Sequence, residues 1–218
     1  MKILNLYACL GGNRYKWGDD HDITAVEWDE ELARMYQERF PNDKVIVADA
    51  HQYLLDHYKK YDFIWSSPPC PSHSRARFWS SKGGNVNPIY PEMSLYQEVI
   101  FLDKFFNGKY VVENVIPYYE PLISAKEIGR HLYWTNFNLI FDIDREESKG
   151  IISTGTNEIQ KLCDLHDINR NFLNTYKGKQ SKTKIVRNLV DYKVGKSILD
   201  IALGIYKSKN KQQISLLD

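Results

Sequence analysis

Two adjacent prolines constrain this chain more than any other feature. They follow Tyr61-Asp62-Phe63-Ile64, an apolar run of strand length, in the stretch Trp65-Ser66-Ser67-Pro68-Pro69-Cys70-Pro71-Ser72-His73-Ser74. Neither a helix nor a strand ladder continues through Pro-Pro, so the chain turns there and presents Cys70 at the carboxyl end of a strand. In an open α/β sheet ligands bind at that edge, and a rigid proline frame suits a thiol that has to be aimed. A buried cysteine in a proline turn is the plainer reading of the motif alone. A second apolar strand, Tyr110-Val111-Val112-Glu113-Asn114-Val115, shifts the balance, because it also ends on a chemically useful group, the carboxylate of Glu113.

The strands before Cys70 repeat the pattern. Lys2 to Tyr7 reads as a buried first strand that breaks at Ala8-Cys9-Leu10-Gly11-Gly12, a turn whose glycines let backbone approach a ligand. Ile23 to Val26 is a second strand ending at Glu27-Trp28, followed by a helix with Leu32, Met35, Tyr36 and Phe40 on one face. An acidic residue closing the second strand is placed to accept hydrogen bonds from ribose hydroxyls, and Trp28 to lie against a purine. Lys44 to Ala48 is a third strand ending in Asp49, and Gln52 to Tyr58 a short helix. The succession predicts an α/β fold, a doubly wound and mostly parallel sheet with a nucleoside-cofactor rim.

Beyond Cys70, residues 71–91 lack an apolar period and read as a long mobile loop carrying Arg75, Arg77 and Lys82. Glu92 to Phe106 reads as a helix with Leu95, Val99, Leu102 and Phe106 on one face, and His131 to Ile140 as further strand. From Asp142 to Lys184 no pattern emerges; order returns at Ile185 to Val190 and in a closing helix around Ile198, Ile201, Ala202 and Ile205, before a frayed tail at Lys207 to Gln213. The predicted division is a catalytic and cofactor-binding domain over 1–140, a small lobe over 141–184, and a segment over 185–218 returning to the first domain.

A chain of 218 residues can bury a full core, and its formal net charge of +1 says little about partners. Charge distribution says more: residues 1–150 carry a net −5 and residues 151–218 a net +6, which makes the C-terminal third the seat of phosphate contacts, at Lys177, Lys179, Lys182 and Lys184. Cys9, Cys70 and Cys163 are odd in number and lack CxxC spacing, so neither a disulfide framework nor a metal site is expected, and a reducing cytoplasm fits. No window reads as a signal peptide or membrane span, so a soluble protein with no membrane partner is expected.

A thiol on the fourth strand, a carboxylate on the fifth and a nucleoside rim on the first three suit attack on a pyrimidine. Carbon-5 of a pyrimidine becomes nucleophilic once a thiolate has added to carbon-6, and a group holding a proton at ring nitrogen 3 stabilises the charge this creates. Cys70 and Glu113 are the residues for those tasks, with Arg75 or Arg77 expected to depress the thiol pKa.

The chain resembles the DNA (cytosine-5) methyltransferases, most closely the small solitary ones carried by bacteriophages and prophages. The resemblance runs from Lys2 to about Phe137 and again from Ile185 to about Tyr206. It implies a Rossmann-like S-adenosylmethionine-dependent methyltransferase with a very small target-recognition lobe, acting on double-stranded DNA in a bacterial (host) cytoplasm, with or without a partner restriction enzyme. Tyr7, Ala8, Cys9, Gly11 and Gly12 match the family's cofactor turn, Glu27 and Trp28 its ribose and adenine contacts, Asp49 with Ala50 its adenine edge. Pro69-Cys70 matches the nucleophile motif, Glu113-Asn114-Val115 the Glu-Asn-Val motif, and Asn188 with Val190 the last cofactor wall. The chain departs from the family at Cys9, at Pro71, at Arg187, and at Gly129-Arg130-His131, where Arg130 is the carry-over for pyrimidine contact. With some forty residues for base reading, target choice is expected to be short, or delegated to a second copy or another chain.

Other readings stay open on the residues alone. Ser67-Pro68-Pro69 also resembles the motif of exocyclic-amino methyltransferases, though that leaves Glu113 without a task. An RNA cytosine-5 methyltransferase and a catalytically silent DNA-binding relative fit as well. A zinc deaminase does not, because His51-Gln52-Tyr53 and His73 lack the required ligand spacing.

Overall fold

The computed structural model describes residues 1–140 and 158–206. Among the described residues seven strands, β1 (Lys2–Leu6), β2 (Asp22–Glu27), β3 (Lys44–Val47), β4 (Phe63–Ser66), β5 (Lys109–Val115), β6 (Lys126–Ile128) and β7 (His131–Thr135), form one sheet in the order β3-β2-β1-β4-β5-β7-β6. The first five are mutually parallel; β7 runs antiparallel to β5 and β6 antiparallel to β7. The chain progresses outward from β1 in both directions, which puts the switch of strand order between β1 and β4, where parallel sheets open a crevice at their carboxyl ends.

Strand alternation sends successive side chains to opposite faces, and each face has its own cover. Leu4, Leu6, Ile64 and Val112 pack with Leu54 of α2 (Ala50–His57) and Leu95, Val99 and Leu102 of α4 (Ser94–Phe105). Ile3, Phe63, Trp65 and Val111 pack with Ile198, Leu199 and Ala202 of α8 (Tyr192–Leu203). Helix α1 (Glu30–Arg39) sets Tyr36 and Phe40 against Ala25, and its first turn is capped by Asp29, whose side chain accepts from the N–H groups of Glu31 and Leu32.

Two segments differ from the sequence reading. Within 71–91 the chain forms α3 (Arg75–Lys82), capped by Ser74 and held against the turn after β5: Arg75 Nε donates to Pro117 O at 2.8 Å and Phe78 stacks on Tyr118 with centroids 4.0 Å apart. None of its residues is buried, so no apolar period announced it. The patternless stretch contains α5 (Glu158–Leu165), α6 (Arg170–Asn174) and α7 (Lys182–Arg187), and α7 runs through the expected boundary at 184/185. Leu162, Leu173 and Ile185 pack with Leu10, Leu32 and Met35, so these helices extend the core over α1. Residues 141–157 of the expected lobe and the tail from Lys207 lie outside the described residues.

Candidate active site

At the carboxyl ends of β1, β2, β4 and β5 lies a cleft of about 270 Å³ whose lining includes Tyr7, Glu27, Trp28, Cys70, Glu113 and Lys184. The turn after β1 enters it in an unusual backbone state: Tyr7 (φ 56°), Cys9 (φ 47°) and Gly11 (φ 68°) are left-handed. A side chain on Gly11 would strike Phe40, and one on Gly12 would stand 2.5 Å from the carbonyl of Val190. Neither glycine lines the cleft; they let α1 and the Leu189-Val190 segment close on the turn. Cys9 directs its thiol toward Ile185 O at 4.0 Å, and its N–H donates to Glu27 Oε2 at 2.8 Å. The other oxygen of Glu27 accepts from the N–H of Asp29 at 3.0 Å, which fixes a nearly buried carboxylate at the end of β2. Beside it Trp28 is 70% exposed.

The proline frame is braced from β5. Asn114 Nδ2 donates to Pro68 O at 2.9 Å, and the N–H groups of His73 and Ser74 both donate to Cys70 O at 3.0 Å, so Cys70 sits in a closed turn. Because Trp65 pairs with Val111 and Ser66 with Val112 in register, Cys70 and Glu113 emerge side by side. Burial pushes the Glu113 carboxyl up to about 7 against the hydroxyl of Ser67 and the charge of Arg130. Burial and then Glu113 push the Cys70 thiol up, opposed by its own N–H and by Lys184. This corrects the expectation for Arg75 and Arg77. The cation acting on the thiol is Lys184, because α3 turns Arg75 to Pro117 and Arg77 to Asn87 O at 3.4 Å.

Arg130 does not line the cleft; His131 does, with Nε2 3.6 Å from Glu113 Oε1. The β5–β7 register puts Val115 opposite His131 and Glu113 opposite Tyr133, hence all four on one face of the sheet. Burial pushes His131 down to about 4, so near neutrality its imidazole is neutral and the proton that titrates there is the one on the carboxyl.

Of the remaining predicted residues, Pro69 and Asn188 line the cleft, whereas Ala8, Ala50 and Val190 are buried outside it. Asp49 caps α2 and lines a neighbouring hollow with Tyr7, His51 and Pro69. Lys82 lies over the rings of Phe78 and Trp79; Lys177 and Lys179 are exposed, and Lys182 Nζ donates to Asn174 O at 3.2 Å. The segment carrying these lysines is fastened to the rim: Tyr176 Oη and Gln180 Nε2 both donate to Asp29 Oδ2, at 2.8 and 3.1 Å. Across α5 and α7 a bidentate pair, Arg187 with Glu158, closes at 2.7 and 2.6 Å. Sequence reasoning missed Asn114 as a brace, His131, and the place of Lys184. Glu98 of α4 was also missed, although a charge on the apolar stripe of Leu95 and Leu102 was its visible signal.

Among the described residues no helix is long and apolar enough to cross a membrane, and no group of three or more His, Cys, Asp or Glu side chains could hold a metal ion.

A mixed seven-stranded α/β sheet with its cleft at the strand switch defines a Rossmann-like methyltransferase fold. The chain shares it with the Entamoeba histolytica methyltransferase EhMeth, at 11% identity and a TM-score of 0.57, over 94% of this chain and 98% of that one. A variant of Spodoptera frugiperda DNMT2 aligns over 52% of this chain and 35% of its own, at 24% identity and a TM-score of 0.37. A TehB-like SAM-dependent methyltransferase from Corynebacterium glutamicum aligns over 52% and 54%, at 18% and 0.33. No curated protein matches. The family model for C-5 cytosine-specific DNA methylase matches residues 1–115, and the chain belongs to that family.

Proposed function

We propose that the chain transfers a methyl group from S-adenosylmethionine to carbon-5 of cytosine in DNA through a covalent bond between Cys70 and carbon-6. The observation that carries this reading is the meeting of Cys70 and a Glu113 carboxyl raised to about 7 in one cleft at the ends of adjacent parallel strands.

Residues of the rim fit the methyl donor. Each oxygen of Glu27 holds one backbone N–H and keeps a lone pair for a ribose hydroxyl, Trp28 offers a face to the purine, and Asp49, in the adjoining hollow, would accept from its amino group. When bound, the donor supplies an electrophilic methyl on its sulfonium. Cys70 as thiolate forms the bond from sulfur to carbon-6, and the displaced electron pair makes carbon-5 nucleophilic. Glu113 in its acid form holds a proton at ring nitrogen 3, where the ring would otherwise carry charge. Once carbon-5 bears the methyl, a base removes its hydrogen, the sulfur–carbon bond breaks and Cys70 leaves as thiolate. Lys184 stabilises that thiolate at both ends of the cycle. The target base has to leave the duplex to reach Cys70, at a cost of about a few kcal/mol. The exposed Lys177 and Lys179, with Arg75, Arg77 and Lys82 of α3, are the phosphate contacts available to offset it.

The test is tritium transfer from S-adenosylmethionine, assayed on DNA and on RNA, with product bases identified. We expect 5-methylcytosine in DNA. DNA with 5-fluorocytosine at the target should stay covalently joined to Cys70, because fluorine blocks the elimination; an amino-methylated product without an adduct would replace this reading by its rival.

A further inference from the structure

Helix α4 carries one charge on its buried face, and that charge is shared among three elements. Glu98 has no exposure; its Oε1 accepts the Tyr7 hydroxyl at 2.6 Å and lies 2.9 Å from His51 Nδ1, while Oε2 accepts the Ser66 hydroxyl at 2.5 Å. A carboxylate removed from water is tolerated where its charge and lone pairs are met, and here they are met by residues with strategic neighbours. Tyr7 opens the cofactor turn, Ser66 closes β4 just before the proline frame, and His51 follows Asp49 and Ala50 into α2.

His51 spends Nδ1 on Glu98, which leaves Nε2 for the hollow that it lines. That hollow, about 450 Å³, shares Tyr7, Pro69 and Pro71 with the active-site cleft and is walled on its outer side by Ile89 and Tyr90. Its polar lining supplies both an acceptor and a donor. Asp49, whose Oδ1 caps α2 through the N–H of Gln52 at 2.8 Å, lines the same hollow as His51. An aminopurine presents the complementary pair, an amino group that donates next to a ring nitrogen that accepts.

We propose that His51 binds the cofactor's adenine by donating Nε2–H to the ring nitrogen next to the amino group, and that Glu98 is the positioning residue that orients His51 for this. The proposal rests on S-adenosylmethionine being the methyl donor. It carries a pH signature, because imidazolium donates from both nitrogens, whereas neutral imidazole donating Nδ1–H to Glu98 has a lone pair at Nε2. The titratable groups facing His51 are Glu98 from α4, Asp49 from the cap of α2, Glu92 from the segment before α4, and Tyr7 from the end of β1. The hydrogen bond that His51 donates to Glu98 first, and the charges of Glu98, Asp49 and Glu92 after it, hold His51 above the ordinary histidine range. The part of the adenine affinity that this bond adds is therefore full below that raised value and is lost as pH rises through it.

Calorimetry with S-adenosylhomocysteine and its 1-deaza analogue, in which C–H replaces the accepting nitrogen, tests this between about pH 6 and about pH 9. The wild type should prefer the parent ligand by about ten- to a hundred-fold at the acid end and lose the preference at the alkaline end. The ratio of the two affinities cancels titration of the ligand's own amino group. His51→Phe should bind both ligands alike at every pH. Glu98→Gln should keep the preference at low pH and shift its midpoint down toward about 6.5. A wild type without the preference overturns the role of His51 even if a variant fails to fold, and so does a His51→Phe variant that keeps it. A wild type that binds neither ligand removes the cofactor reading together with the proposal.

Discussion

The proposed cofactor side of the rim and its proposed chemical side each place one nearly buried glutamate at the end of a parallel strand; burial raises both carboxyls, and that of Glu113 the further. Glu27 receives a backbone N–H on each oxygen, from Asp29 and Cys9, and these oppose the burial that raises its carboxyl. Glu113 has the hydroxyl of Ser67 and the nearby charge of Arg130, which do not offset burial, and its carboxyl rises to about 7. Residue type and level in the sheet are the same; the supply of N–H donors sets how far burial raises each carboxyl.

Removing the nucleophile should give the largest effect. Cys70→Ala should lower methyl transfer by at least about ten-thousand-fold while leaving cofactor affinity within about twofold. Full activity in tritium transfer, or an adduct mapped by peptide mass to Cys9 or Cys163, would break the division at its chemical end.

Glu113→Gln should cost about a hundred- to ten-thousand-fold in turnover and leave adduct formation slow. In the wild type the acid form is lost as pH rises through about 7, so the variant should lack the alkaline fall in the addition step measured by rapid quench. Stability gives an independent check. Folding raises this carboxyl from 4.5 to about 7, so its stabilisation is full below 4.5 and lost as pH rises through about 7. Denaturant melts at about pH 8 should therefore find the glutamine variant more stable than wild type by roughly 3 kcal/mol, with no such gain at about pH 4.

Glu27→Ala should act on the other side alone. Cofactor Kd should weaken by about ten- to a hundred-fold with kcat retained at saturation, and two N–H groups left without partners should cost about 1–3 kcal/mol each. An unchanged Kd by calorimetry would mean that Glu27 supports the turn and does not touch the ligand.

The smallest effect expected is that of Lys177, Lys179 and Lys182 replaced together by Gln. The slope of log affinity for DNA against log salt should flatten by about 0.9 per lysine, with the methylated sequence unchanged. Lys184→Gln belongs to a different experiment, since its charge acts on Cys70 and should show as a raised thiol pKa in iodoacetamide kinetics.

The rim was legible because each parallel strand is an apolar run stopped by a residue that the turn or the ligand demands: Glu27, Asp49 and the prolines before Cys70. Helix α3 was not, since it buries none of its residues and is held by Pro117 and Tyr118, partners remote in sequence. Helices α5, α6 and α7 span five to eight residues and reach the core through a few side chains each, too few to establish a period. Lys184 looked like its basic neighbours in composition; only the approach of α7 to the cleft sets it apart. His131 was passed over for Arg130 because charge, in a sequence, draws more notice than the register that decides which of two neighbours faces inward.

Asp29 caps α1 with one oxygen and holds Tyr176 and Gln180 with the other, one residue beyond Trp28. In evolutionary terms that joint makes the C-terminal helices a cassette with a fixed plug. If those helices read the target, as proposed, their outward surfaces can change freely, but a replacement that brings no donors for Asp29 loosens the turn at Trp28 as well.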